Sequence, residues 1–379
     1  MESEKSKTAP SAQQNQVARR RRIIALCIAL LLVAVTTVIV LAAKGVFDRN
    51  PPVLPPVDLL TQAPTDPPDT TLNPFTGLHT LDPAAYGKRP ASFMVNNAPA
   101  ARPQWGLCAP DIITETLVEG GITRMLFMFA DVNTVPKIGP IRSARHDFVE
   151  IAEGFDSFLF HWGGSPQAYS AIKARNVNSL DGMVYAGKYF FRDAERRKRV
   201  ALEHTAYTNG EAIAGGIADQ KWRTELDTAK KEPFTFVEES ASARVPAGGT
   251  ANTLQFRYSG SYQYAFAYDA ATGLYAQSLN QKPFVQEGGE QRKVTNIVLI
   301  YTNVQAIPND KKNRVNIDMK GGAGLYITAG GWEAIRWVKG EPNDPLQLLD
   351  SAGEPLKLNR GKGYIGMVPL TEKSHTAVG

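Results

Sequence analysis

The chain has 379 residues, 43% of them hydrophobic and 21% charged, with a formal net charge of +5. Residues 1–22 hold six basic against two acidic residues and Lys44 adds a basic one, which leaves 35 of each sign in residues 45–379. A neutral body excludes a protein that tracks nucleic-acid phosphates by general positive charge. The two cysteines, Cys27 in an apolar run and Cys108 in the body, exclude a disulfide framework.

Residues 1–22 form a polar tail ending in Arg19, Arg20, Arg21 and Arg22. The next twenty-one residues, Ile23 to Ala43, carry no charge, which is the length a helix needs to cross the hydrocarbon of a bilayer. Four arginines before this run and one lysine after it predict a single transmembrane signal anchor with a cytoplasmic N-terminus and the bulk of the chain outside. The membrane is thereby an expected partner, and no nucleic acid is. Residues 44–72 contain PPVLPP and APTDPPD, a proline density that predicts an extended spacer.

Residues 73–236 read as an α/β domain. ASFMV, Ala91 to Val95, is a strand ended by the turn residues Asn96 and Asn97. Asp111 to Leu117 reads as a short helix opened by Asp111 as its cap behind Pro110. Strands are expected over Arg124 to Ala130 and Phe158 to His161, and helices over Phe148 to Ala152 and Ser165 to Arg175. The charged run AERRKR, Ala194 to Arg199, reads as a solvated helix face. Residues 237–250 turn small and polar and read as a linker. Residues 251–370 hold many short aromatic and β-branched segments between Gly, Asn and Asp turns, which predicts a mainly-β domain before a tail at 371–379. In that domain GGAGLY, Gly321 to Tyr326, reads as a hairpin.

The stretch Asp111 to Pro166 concentrates the chemistry. Arg142 and Arg145, three apart after Gly139-Pro140, would share one side of a helix start, where backbone N–H groups and guanidinium forks attract anions. With Arg124 of EGGITR they make an arginine-lined candidate ligand site. Glu115, Glu119 and Asp147 can orient those arginines or pair with them as a structural network; both readings stay open. His161, ending a strand, is a candidate proton carrier or a hydrogen-bonded histidine under a loop. Ser165, at the end of HWGGSP, completes the candidate set. Cys108 reads as a small buried thiol, and His204 shares the ambiguity of His161. No HExxH, GxSxG, GxxxxGK[ST] or GxGxxG is present, so no metal, nucleotide or other cofactor is expected.

RPQWGL (Arg102 to Leu107), EGGITR (Glu119 to Arg124), GPIRSAR (Gly139 to Arg145), HWGGSP (His161 to Pro166), LDG (Leu180 to Gly182) and FFRD (Phe190 to Asp193) occur in one order. VTNIVLIY (Val294 to Tyr301), GGAG and WVK (Trp337 to Lys339) follow in the second half. In these motifs, over roughly Asn73 to Leu370, the chain resembles the YerB-like family of bacterial extracytoplasmic proteins, a two-domain family without an assigned reaction. The resemblance implies a location outside the cytoplasm and no particular chemistry. Two features depart from the family pattern: an apolar anchor replaces a lipidated cysteine, and Glu203-His204-Thr205 stands where the family tends to have Pro-His-Asn.

Two functions follow from this reading. One is an envelope binding or scaffold protein that holds an anionic ligand or a protein partner through Arg124, Arg142 and Arg145. The other is an enzyme on lipid-linked or wall polymers, with the arginines stabilising phosphate charge and Glu119, Asp147 or His161 moving protons.

Overall fold

The computed structural model describes Asp69 to Gly379 apart from Lys231. The expected tail, anchor and most of the spacer lie outside these residues. Among the described residues no helix is long and apolar enough to cross a membrane.

A ten-stranded mixed sheet forms the centre. Its first half comes from β1 (Ala91–Asn96), β2 (Ile112–Leu117), β3 (Thr123–Phe129), β4 (Phe158–His161) and β5 (Ser179–Asp181). These run in the order β2-β3-β1-β4-β5, with β1, β4 and β5 parallel and β3 antiparallel to both β1 and β2. The other five strands belong to the second half of the chain. Strand Gly363–Pro369 lies parallel to β2 and joins the two sets, followed outward by Asn296–Thr302, Gly321–Thr328, Gly331–Val338 and Gln347–Leu349. The chain is thus α/β in its first part and mainly β in its second, and one sheet runs through both.

The sheet is covered on both faces, which is why β3 reads as an unbroken apolar run. Met125, Phe127 and Phe129 enter one core with Phe93, Val95 and the tyrosines Tyr258, Tyr262 and Tyr264 of a second sheet. Leu126 and Met128 enter the other, with Met94 and the helix residues Phe148, Val149, Ala152 and Ala168. That second sheet has six strands, centred on Thr253–Ser259, Tyr262–Asp269 and Leu274–Leu279.

The segment Asp111 to Leu117 is a strand, not a short helix. Burial on both faces removes the alternation that marks a strand, while Ile112, Ile113, Thr114 and Thr116 supply the β-branched stiffness that favours one. Asp111 caps no helix: its Oδ2 accepts from Ala130 N at 2.8 Å and its Oδ1 from Asn73 Nδ2 at 3.1 Å. GGAGLY lies in a hairpin as expected, but in its first arm and not at its turn: Gly321–Thr328 pairs antiparallel with Gly331–Val338. A Cβ on Gly322 would stand 2.9 Å from the Tyr301 carbonyl oxygen, and one on Gly324 2.6 Å from that of Leu299. Glycine there permits close strand approach.

The expected helices stand at His146–Gly154 and Pro166–Arg175. The run AERRKR is only partly a solvated face. Arg196 is buried and donates to Pro103 O at 2.8 Å and Ala101 O at 2.5 Å, its guanidinium 4.3 Å from the Trp105 ring. The segment between the two halves is fastened: Arg244 N donates to Asn359 Oδ1 at 2.8 Å and the Asn359 amide returns a bond to Arg244 O at 2.8 Å.

Candidate functional site

In α/β sheets, polar side chains collect beyond the C-terminal ends of the parallel strands. Here those ends are Asn96 of β1, His161 of β4 and Asp181 of β5. Arg124 stands at the same edge, because β3 enters the sheet opposite Asn96. The segment Gly139 to Arg145 lies over this edge. Ile141 bridges to Val95, Ala144 bridges to Gly164, and Arg142 N donates to Met94 O at 2.8 Å. Arg142 and Arg145 are therefore not on one side of a helix start. Arg142 lies in the chain before the helix, Arg145 is the residue before the first helical turn, and only the Arg145 side chain meets a carboxylate among the described residues.

Arg145 and Arg124 share Glu119. Arg145 Nε donates to Glu119 Oε2 at 2.8 Å, its terminal nitrogen donates to Oε1, and Arg124 reaches Oε1 at 3.3 Å. Arg124 also donates to Ser143 O at 2.7 Å, and Arg145 to Ala144 O at 2.8 Å. Burial pushes the Glu119 carboxyl up, but the Arg145 hydrogen bond and both arginine charges outweigh it and hold the group at about 2. Arg124 is only 2% exposed. This is a closed ion triad.

The other predicted residues are spread around it. Glu115 is fully buried, its Oε1 accepting from Tyr264 at 2.7 Å and Asn97 at 2.8 Å, its Oε2 from Tyr364 at 2.8 Å. It ties β2 to the second half of the chain, and burial raises its pKa against these bonds. Asp147 is buried on its helix and accepts from Ile317 N at 2.9 Å; burial lifts its carboxyl to about 6. Ser165 caps the helix Pro166–Arg175, its Oγ accepting from Ala168 N at 3.0 Å. His161 is buried, with Nδ1 2.8 Å from Gly163 O and Nε2 without a hydrogen-bond partner among the described residues. Burial lowers its pKa, partly offset by Asp181.

Arg142 differs from these. It is half-buried, and among the described residues no carboxylate lies within ion-pair distance of its guanidinium. Burial lowers its pKa, opposed by the charge of nearby Glu203. Arg192, from the FFRD run, lies 3.8 Å above the Trp162 ring, donates to Leu202 O at 2.5 Å and feels the Arg142 charge. His204 accepts at Nδ1 from Asn96 Nδ2, 3.0 Å away, and its pKa is lowered by burial and by Arg142 against the pull of Glu203. Two cations with no carboxylate within ion-pair distance among the described residues, though Glu203 acts on both from further away, stand with an aromatic face and can hold an anion. Arg192 and Asn96 were missed as site residues. FFRD offered one arginine in a charged run, and Asn96-Asn97 read as a turn signal.

A separate cleft of about 530 Å3 lies between the halves, lined by Trp105, Cys108, Lys137, Glu287 and Glu290 among others. Cys108 is half-buried, not enclosed, and burial followed by the charge of Glu290 pushes its thiol up to about 11. That disfavours a nucleophilic thiolate.

Two family models match the chain: the N-terminal domain of the protein of unknown function DUF3048 over residues 75–223, and its C-terminal domain over 254–365. A Bacillus subtilis (strain 168) protein described as "Putative lipoprotein YerB" is 29% identical over 304 residues, spanning 78% of this chain and 86% of the relative. The crystal structure of YerB from Bacillus subtilis superposes with a TM-score of 0.68 at 26% identity, covering 81% of this chain and 98% of that one. Carrying both domain models in order, and a fold shared with YerB over nearly that protein's whole length, the chain belongs to the YerB-like DUF3048 family of two-domain proteins of unknown function.

Proposed function

We propose that this is a membrane-associated, extracytoplasmic envelope protein that binds an anionic group at Arg142 and Arg192. The single observation behind the anion site is the contrast between arginines. Arg124 and Arg145 are both paired with Glu119, whereas Arg142 and Arg192, which feels its charge, have no carboxylate within ion-pair distance among the described residues and share only the longer-range charge of Glu203. A half-buried guanidinium without a partner is costly to desolvate, and an incoming anion offsets that cost. The location rests on the lipoprotein description of the relative and on the uncharged run Ile23 to Ala43 behind four arginines. The anchor crosses once, with its N-terminus in the cytoplasm.

The test is a calorimetric titration of the full chain in detergent with inorganic pyrophosphate. Binding is expected in the parent and lost in the Arg142→Ala/Arg192→Ala double variant, whose circular dichroism stays that of the parent. Pyrophosphate binding of equal strength in both proteins would falsify the site.

A further inference from the structure

Around the Trp162 ring that carries Arg192, and next to Ser143, the chain places apolar side chains in water. Met183 is 67% exposed and Val184 72%, at the turn after β5, and Leu202 is 48% exposed. Isolated exposed aliphatics are ordinary, but this turn is held in place by a dedicated carboxylate. Asp181 Oδ1 accepts from Met183 N at 2.8 Å and from Gly163 N at 2.7 Å, and its Oδ2 accepts from Tyr169 OH at 2.7 Å. Val184 N and Tyr185 N both donate to Asp181 O, at 2.9 and 3.0 Å.

The apolar turn and the arginines form one patch. A Cβ built on Gly163 would lie 3.2 Å from Ser143 Oγ and 3.7 Å from Met183 Cγ, so Met183 stands beside the residue that follows Arg142. Trp162 packs on Gly182, the residue before Met183, and carries Arg192 on its ring. Leu202 supplies the carbonyl that Arg192 holds. Glu203 is the one acidic group whose charge reaches both arginines, and it is exposed. Around the guanidinium groups two arginines outnumber that one carboxylate, while the Asp181 carboxylate is taken up by Met183 N, Gly163 N and Tyr169 OH.

We infer that this patch docks on an anionic phospholipid surface, Arg142 and Arg192 meeting headgroup phosphates while Met183 and Val184 enter the acyl boundary. The inference rests on the anion-site reading above. A soluble anion would use the arginines and leave the ordered aliphatic turn without a role, whereas a leaflet uses both. The same chain supplies the surface. The 25 residues from Lys44 to Pro68 reach on the order of 75 Å when extended at about 3.1 Å per residue, enough for the folded part to turn back onto the membrane.

The experiment uses the full chain in nanodiscs, with a solvent-sensitive fluorophore on Val184→Cys after Cys27→Ser and Cys108→Ser. Val184 is exposed, so the label leaves the fold intact. In phosphatidylglycerol discs the emission is expected to shift to the blue and to be quenched by spin-labelled lipid. In phosphatidylcholine discs it is expected to stay that of water. Loss of Arg142 or of Arg192 lowers the docked-to-free ratio roughly five-fold each, from about 1 kcal/mol per basic residue. Equal emission in both discs, insensitivity to the arginines, or a shift that follows protein concentration as a second copy or other protein would produce, overturns the inference. Pyrophosphate titration of the same protein separates the two readings. If pyrophosphate binds through Arg142 while the label stays in water, only the membrane contact falls; if it does not bind, the anion site falls as well.

Discussion

Glu119 holds Arg145 through both carboxylate oxygens, with Nε to Oε2 at 2.8 Å, while its Oε1 also meets Arg124. One carboxylate thereby bridges two cations at the sheet edge and ties the turn after β2 to the start of a helix. Glu119→Ala leaves the enclosed Arg124 without its counter-charge and is expected to cost about 3 kcal/mol, the scale for breaking a buried ion pair. Urea unfolding of the two proteins measures this; a loss below the scatter of the fits would show that water replaces the carboxylate.

The same group sets an acid limit. Its folded-state pKa, about 2, lies below that of an ordinary glutamate, so its stabilisation is complete above about 4.5 and is lost as pH falls towards 2. Melting temperature recorded across that window is expected to fall more steeply for the parent than for Glu119→Gln.

Asp147 has the opposite sign. Burial raises its carboxyl to about 6, so the folded state holds the proton more tightly than the unfolded state does. Ionising it costs stability progressively between about 4 and 6. Asp147→Asn keeps an acceptor for Ile317 N and removes the charge, and its melting temperature relative to the parent is expected to rise across that interval. A difference that does not change with pH would refute this account.

Tyr264 and Tyr364 both donate to Glu115, from the second half of the chain to the first. Each Tyr→Phe change removes one bond to a buried carboxylate and is expected to cost about 1.5–3 kcal/mol. Because the central sheet and this cluster span both sequence domains, the described part of the chain is expected to unfold in one transition by calorimetry. Two separated peaks would count against it.

Cys108, with its thiol pushed up to about 11, is expected to alkylate slowly near neutral pH. In a Cys27→Ser background the iodoacetamide rate should climb about ten-fold per pH unit over the alkaline range, without a plateau near the usual thiol pKa. A plateau at about 8.5 would show an unperturbed thiol.

Much of the architecture was legible in the residues. The runs RMLFMF and FLFH announced β3 and β4, and Ser165-Pro166 announced a capped helix, because these signals act within a few residues of chain. Asp111 to Leu117 was misread because a strand buried on both faces loses its period, and only its neighbours, β3 and Gly363–Pro369, reveal it. The arginines of the candidate site were visible in IGPIRSAR and EGGITR, as was the neutrality of the body. Sequence could not say which arginine lacks a carboxylate within ion-pair distance among the described residues. Charge pairing is decided by distance, and Glu119, Arg124 and Arg145 are brought within hydrogen-bonding reach by a turn, a strand and a helix start. Arg192 comes from the FFRD run, well beyond them in the chain, to stand near Arg142. The residues determined the elements and their chemistry; the folding of three separate segments onto one sheet edge decided which arginines meet a carboxylate and which do not.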